Sequence, residues 1–307
     1  MKPIAVMDLG TNTFHLLIAE GDAADPTILF KTTNPVKLGE GGINKGVIQP
    51  AAYERGVKAM EQFQQHIAKY DVQKVSAIAT SALRSASNGQ NFIDEVKAKT
   101  GIAIETISGD EEAQFIYKGV KAGGCLSAKN SLIMDIGGGS VEFILGNQDG
   151  ILWKQSFEVG AARLMDKFHQ IDPITPKSIT DLKKYLEERL ADMFNGVKDF
   201  EIDYLIGSSG AFDTFAEVIE AANGKPFDIR QIKNYVFDTN DFIKITDMLI
   251  RSSHNERANN KSIIPIRVDM IVVAAIATRF VMGKLGINKV TLSTNSLKEG
   301  VVADMLA

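Results

Sequence analysis

The chain has 307 residues, is 45% hydrophobic and carries a formal charge of -4. That length and apolar content support a large buried core and exceed the usual single-domain range of roughly 50 to 250 residues, so two domains are expected. The acidic balance argues against general attraction to nucleic acid or to membranes, which leaves any anion site to a local pocket.

Cys125 is the single cysteine and cannot form an internal disulfide, which fits a reducing, cytoplasmic setting; His15, His66, His169 and His254 are scattered without zinc spacing. The apolar run Ile4 to Met7 is too short for a signal peptide. Ile271 to Ala277 is strongly apolar, but Arg267, Asp269 and Arg279 bracket it too closely for a membrane span, so it reads as a buried helix.

In chain order, Ile4 to Leu9 reads as a strand, Asp8-Leu9-Gly10-Thr11-Asn12-Thr13 as a turn, and Phe14 to Ala19 as a second strand. Ile28 to Leu38 supplies a third. From Tyr53, the apolar positions Val57, Met60, Phe63 and Ile67 step by three or four, which marks an amphipathic helix. Val75 to Ala79 is a strand ending at Thr80-Ser81-Ala82-Leu83-Arg84, where an open α/β sheet places ligand-contacting groups. Arg84 there is either a solvated helix-start arginine or a guanidinium fork for a phosphate. After a helix over Asn88 to Lys99 and a strand over Ile102 to Ile107, Ser108-Gly109-Asp110-Glu111-Glu112-Ala113 opens another helix. Its acids either complement the helix dipole or present a carboxylate that takes a proton from water. Gly119 to Ser127 is loose enough for a linker.

Ser131 to Gly146 repeats the opening pattern: an apolar strand runs into Asp135, then Ile136, Gly137, Gly138, Gly139 and Ser140, and apolar residues return from Val141 to Leu145. Asp135 matches Asp8, Gly137 matches Gly10 and Ser140 matches Thr13, all at an offset of 127 residues, as in a duplicated domain. Glycines either merely turn such a hairpin or let backbone N–H groups close on an anion. Asp135 and Glu142 would repel a phosphate by roughly 4 kcal/mol per unit-charge pair at about 4 Å and an effective dielectric near 20. The pattern therefore makes chemical sense with a divalent cation such as Mg²⁺ among oxygen ligands.

Ile151 to Val159 continues the sheet, and a helix starts at Gly160-Ala161-Ala162-Arg163. Ile179, Leu182, Leu186, Leu190 and Met193 mark a longer helix. Tyr204 to Ile206 leads into Gly207-Ser208-Ser209-Gly210, a second turn able to bind an anion before the helix over Ala211 to Ala222. Helices over 240–251 and 263–285, a strand over Val290 to Ser293 and a closing helix from Leu297 complete an α/β alternation.

Seven ordered segments carry a resemblance over nearly the whole chain. They are the Asp8–Thr13, Thr80–Arg84, Gly109–Ala113 and Asp135–Glu142 stretches, followed by Gly207–Gly210, Arg267–Ile271 and Ser293–Gly300. In this order they resemble the exopolyphosphatase and guanosine pentaphosphate phosphohydrolase family, in its short, two-domain form. The resemblance implies two duplicated actin-like domains of the ribonuclease H-like ATPase superfold, with the active site in the interdomain cleft. It divides the chain into residues 1–124, completed by the helix at 297–307, and residues 125–296.

By position, the resemblance makes Glu112 the catalytic base, and Asp135 and Glu142 the Mg²⁺-binding and water-positioning carboxylates. It makes Gly137, Gly138, Gly139 and Ser140 the main phosphate loop, Gly10, Thr11 and Asn12 a facing loop, and Arg84 a phosphate contact. Ser208 and Ser209 supply further phosphate contacts in a loop that varies within the family. Val141 stands where many members have threonine.

The implied reaction is Mg²⁺-dependent hydrolysis of the terminal phosphoryl group of polyphosphate. Guanosine pentaphosphate hydrolysis, a non-hydrolysing alarmone sensor, an ATP-dependent kinase of the same superfold and an actin-like filament former are the other readings. No nucleic-acid or membrane partner is expected, and a homodimer rests only on the general prevalence of isologous dimers.

Overall fold

A computed structural model describes residues 2–23 and 25–307. The chain divides into two compact units, residues 1–122 with 297–307, and residues 123–296.

The first unit is built on strands β1 (Ile4–Leu9), β2 (Phe14–Asp22), β3 (Asp25–Asn34), β4 (Lys74–Ala79) and β5 (Ile104–Thr106). Helices α1 (Pro50–Ile67), α2 (Ser81–Ser85) and α3 (Gly89–Thr100) separate its later strands, and α4 (Gly109–Ala122) follows β5. Its sheet runs β3-β2-β1-β4-β5, antiparallel through the β1, β2 and β3 meander and parallel from β1 to β4 and β5.

The second unit contains β6 (Ser131–Ile136), β7 (Val141–Gly146), β8 (Ile151–Phe157), α5 (Ala161–Phe168), α6 (Pro176–Arg189), α7 (Ala191–Val197), β9 (Tyr204–Ser208) and α8 (Gly210–Ala222). It continues with β10 (Asn234–Val236), α9 (Thr239–Arg251), α10 (His254–Asn259), α11 (Met270–Leu285) and β11 (Val290–Ser293). Its sheet order, β8-β7-β6-β9-β11, repeats that of the first unit strand for strand, with β10 added antiparallel at the edge. The mixed α/β fold is therefore two copies of one sheet plan, as the 127-residue offset implies.

Central strands carry the apolar runs because helices cover both their faces. Every residue of β6 and β7 is buried, including Asp135 and Glu142. The first core gathers Met7, Leu9, Phe14, Met60, Phe63 and Phe92, and the second gathers Phe143, Phe212, Phe215 and Phe242 around α11. No described helix is long and apolar enough to cross a membrane.

Several boundaries differ from the sequence reading. The third strand ends at Asn34 rather than Leu38, because Lys37 adopts φ 50° and donates its N–H to Asn12 O at 2.7 Å. The helix expected over 179–193 breaks at Leu190 into α6 and α7, and the one over 263–285 begins only at Met270, after a separate 3-10 turn at Pro265–Arg267. The linker expected from Gly119 begins at Gly123, because α4 runs to Ala122. β10, three residues long, left no pattern to read.

The closing helix α12 (Leu297–Leu306) belongs to the first unit and packs along α4. A Cβ at Gly300 would lie 1.9 Å from the Phe115 carbonyl oxygen and 3.0 Å from the Gly119 nitrogen, so the two helix backbones touch there. Gly300→Ala is expected to destabilise the fold by about 2 kcal/mol or more, as overpacking does. A urea midpoint unchanged from wild type would show that this contact is slack.

Candidate functional site

In the second unit the glycine turn is fixed by backbone hydrogen bonds to its carbonyls. Gly137 O accepts from Ala161 N (2.9 Å), Gly138 O from Ala162 N (2.9 Å), and Gly139 O from both Gly160 N (3.3 Å) and Arg163 Nε (2.8 Å). Among the described residues, the N–H groups of Gly138, Gly139 and Ser140 have no backbone acceptor. Buried or crowded N–H groups need partners, so a turn built this way is suited to an anion. Only glycine fits at 160: a Cβ there would sit 2.5 Å from the backbone of both Gly138 and Gly139.

Beside this turn, sheet register puts Asp135 opposite Glu142, and Glu142 opposite Ser156 on β8. Directly paired residues share a sheet face, so the carboxylates are neighbours. Asp135 is 6% exposed and Glu142 1%. Ser156 Oγ donates to Glu142 Oε1 at 2.6 Å, and Ser296 Oγ donates to Asp135 Oδ2. Among the described residues no group of three or more His, Cys, Asp or Glu side chains is disposed to hold a metal ion. Two adjacent carboxylates suit Mg²⁺, which keeps several waters and shares substrate phosphate oxygens instead of taking a complete protein cage.

The first unit holds the duplicate. Gly10 N donates to Thr13 O (3.0 Å), while Asn12 O and Thr11 O accept from Lys37 N (2.7 Å) and Gly39 N (3.0 Å). Here Asp8 pairs across the sheet with His15, and His15 with Thr33. His15 Nε2 and Nδ1 lie 2.9 Å from the hydroxyls of Thr13 and Thr33. A histidine thus replaces the second carboxylate, a difference the offset of 127 residues already contained, since position 15 aligns with 142.

Parallel pairing brings the ends of β1, β4 and β5 to one edge of that sheet, with Thr80 N donating to Leu9 O (3.4 Å) and Ile107 N to Ala79 O (3.1 Å). Two sequence-predicted residues meet at this edge. Arg84 Nη1 lies 3.1 Å from Glu112 Oε2 and donates to Ile107 O at 3.0 Å, and Glu112 is 7% exposed. The capping role falls to its neighbour: Glu111 Oε2 accepts from Ser108 N and Oγ, both at 2.8 Å, and Ser108 Oγ accepts from Glu111 N at 3.2 Å. Glu112 is left for another task.

Of the serines at the end of β9, Ser208 is fully buried. Ser209 holds φ 70° and donates its hydroxyl to Ile136 O at 2.9 Å, tying this turn to the glycine turn. Arg267, given no role by the motif reading, lies against the same turn; a Cβ at Gly210 would come 2.4 Å from its Nη2. Its guanidinium also reaches Thr214 Oγ1 (3.0 Å) and Asp213 Oδ2 (3.4 Å). Nearby, burial pushes the Glu217 carboxyl above its ordinary range, against the opposing charge of Arg267. Arg257, 1% exposed, anchors the Arg267 segment by donating from Nε to Val268 O at 2.6 Å. Nothing in the sequence around 257 marks it as buried.

The model of the Ppx/GppA phosphatase family matches residues 17–307. The chain belongs to the Ppx/GppA phosphatase family. Its fold is similar to a crystal structure of an exopolyphosphatase from Cytophaga hutchinsonii, with 39% identity, a TM-score of 0.96, and coverage of 99% of this chain and 98% of that one. A family member from Aquifex aeolicus, 22% identical over 99% of this chain and 97% of its own, shares the fold at a TM-score of 0.82. A bifunctional 3-dehydroquinate synthase/phosphatase from Fusobacterium nucleatum is 30% identical over 98% of this chain. This Ppx/GppA chain spans 46% of the length of that relative.

Gly160→Ala is expected to displace the glycine turn and lower kcat/KM for phosphate release by on the order of 10², the scale of small misplacements of binding groups. Wild-type kinetics in that variant would mean that the turn is not held from Gly160.

Proposed function

We propose that this protein is an exopolyphosphatase, which hydrolyses the terminal phosphoryl group of inorganic polyphosphate in the cytoplasm and releases orthophosphate. Family membership supports hydrolysis of a phosphoric anhydride, and the named activity of the Cytophaga relative supports polyphosphate. The observation that carries the mechanism is the buried Glu112 carboxylate, released from capping by Glu111 and paired with Arg84.

In this reading the N–H groups of Gly137 to Ser140 and of Thr11 and Asn12 bind oxygens of the phosphate chain, the kind of preorganised donor set that stabilises developing charge, while the Gly10 N–H stays on Thr13 O and shapes its turn. Asp135 and Glu142 would hold Mg²⁺, which neutralises charge on the phosphate oxygens when bound. Arg84 shares Nη1 between Glu112 and Ile107 O. An incoming phosphate competes for that guanidinium, which weakens its hold on Glu112 and makes the carboxylate a better base. Glu112 orients water and accepts its proton as the water oxygen bonds to phosphorus; the bridging P–O bond breaks, and the shortened chain leaves with the bond electrons. Guanosine pentaphosphate ends in the same group and is the competing substrate.

Phosphate release measured on polyphosphates of several lengths and on guanosine pentaphosphate, with and without Mg²⁺, tests this reading. Polyphosphate is expected to give the higher kcat/KM, and a preference for the nucleotide reverses the substrate assignment. Glu112→Gln should retain substrate binding but lose turnover by on the order of 10² or more; normal turnover removes the base assignment. Thorough chelation should abolish activity, and activity that survives it removes the roles given to Asp135 and Glu142.

A further inference from the structure

The second unit holds a groove of about 760 Å³ between α6, α9 and α11, apart from every residue assigned above. Its apolar lining is made by half-buried Ile179 and Ile250 and exposed Pro173 and Pro176, over buried Ile174, Ile276 and Phe280. Small-molecule sites commonly occupy roughly 300 to 1,000 Å³ with mostly apolar walls, so its size suits a ligand rather than a packing defect.

Its charge is unlike that of the chain as a whole. Lys183, Arg251, Arg279 and Lys284 line it with a single acid, Asp247, in a protein of net charge -4. Two of these cations are engaged: Arg279 Nη1 donates to Asp247 Oδ1 (3.1 Å), Thr246 Oγ1 and Ile243 O, and Lys284 pairs with Glu187. Among the described residues Lys183 on α6 and Arg251 at the end of α9 have no ion-pair partner, so the groove presents unneutralised positive charge from two of its walls.

The lining also limits the chemistry of the guest. It contains no Ser, Thr, Asn, Gln, His or Tyr side chain to read a base edge or a sugar hydroxyl. The Phe280 ring already meets Phe194 edge to face at 6.0 Å. Aliphatic walls without neutral hydrogen-bonding groups suit a hydrocarbon chain, and the unpaired cations suit an anionic head.

Gly283 supplies a further observation. It lies inside α11, where glycine is disfavoured relative to alanine, and a Cβ there would meet nothing within 4 Å. Among the described residues no packing contact requires this glycine, and it lines the groove without filling it.

We propose that this groove binds a single unbranched acyl chain ending in a carboxylate or phosphate, with the chain against Ile179, Ile250 and the two prolines and the head on Lys183 and Arg251. Calorimetric titration of the whole protein with decanoate and with decyl phosphate, both below micellar concentration, tests this and separates the two head groups. One-to-one binding of at least one is expected, with decanol, AMP and an acidic amphipathic helical peptide each at least about tenfold weaker, equivalent to about 1.4 kcal/mol. Gly283→Leu, which fills the groove from an open position, should weaken the anionic chain by about tenfold or more while thermal unfolding stays at or above the wild-type midpoint. Lys183→Glu with Arg251→Glu, both on exposed side chains, should do the same and reads out the site even if Gly283→Leu misfolds. The proposal is overturned by the absence of saturable binding, by multiple weak sites indifferent to the charge-reversed variant, or by AMP, decanol or the peptide binding as tightly as the anionic chain.

Discussion

Backbone carbonyls of the Gly137–Ser140 turn are held by the N–H groups that begin the following helix, and the rest of the candidate site depends on that constraint. Each N–H of Gly160, Ala161 and Ala162 at the start of α5 lacks an intrahelical acceptor, and each finds one in the turn. One set of bonds therefore caps a helix and fixes a loop. With its carbonyls committed inward, the turn keeps donors for an anion, a local device that does not depend on the sign of the chain's net charge of -4.

Duplication supplied the same device twice, and the two copies differ where charge matters. The turn at Gly10 is braced from Lys37 and Gly39, as the turn at Gly137 is braced from Gly160 to Ala162. Across the neighbouring strand pair, one copy sets Asp135 beside Glu142 and the other sets Asp8 beside His15. Two adjacent carboxylates favour a cation, whereas a carboxylate beside an imidazole held by two threonine hydroxyls does not demand one. The topology is symmetric and the chemistry is not.

Consecutive acids at the start of α4 show how one helical turn divides two tasks. Residues one apart point about 100° away from each other around a helix, so Glu111 turns back to Ser108 while Glu112 turns toward Arg84. Capping satisfies the helix terminus locally and leaves the second carboxylate to the sheet edge. Its position there, at the ends of β4 and β5, follows from parallel pairing, which aligns strand termini that are distant in sequence.

The sequence by itself determined the two-copy α/β plan, the two glycine turns and the identity of the residues around them, because these rest on local signals: apolar runs, glycines at fixed offsets and acids after strands. Asp135 and Glu142 were legible as a pair since a four-residue turn between two strands leaves little freedom of register. Tertiary structure alone decided which of Glu111 and Glu112 caps α4, that Arg84 already holds Glu112, and that Arg267 rests on Gly210. It also decided that Gly300 lets α12 touch α4, and that the helices of the second unit leave a cationic groove. Each of these depends on where a side chain or backbone from a distant segment arrives, and sequence periodicity records a residue's own face but not the partner that packs against it.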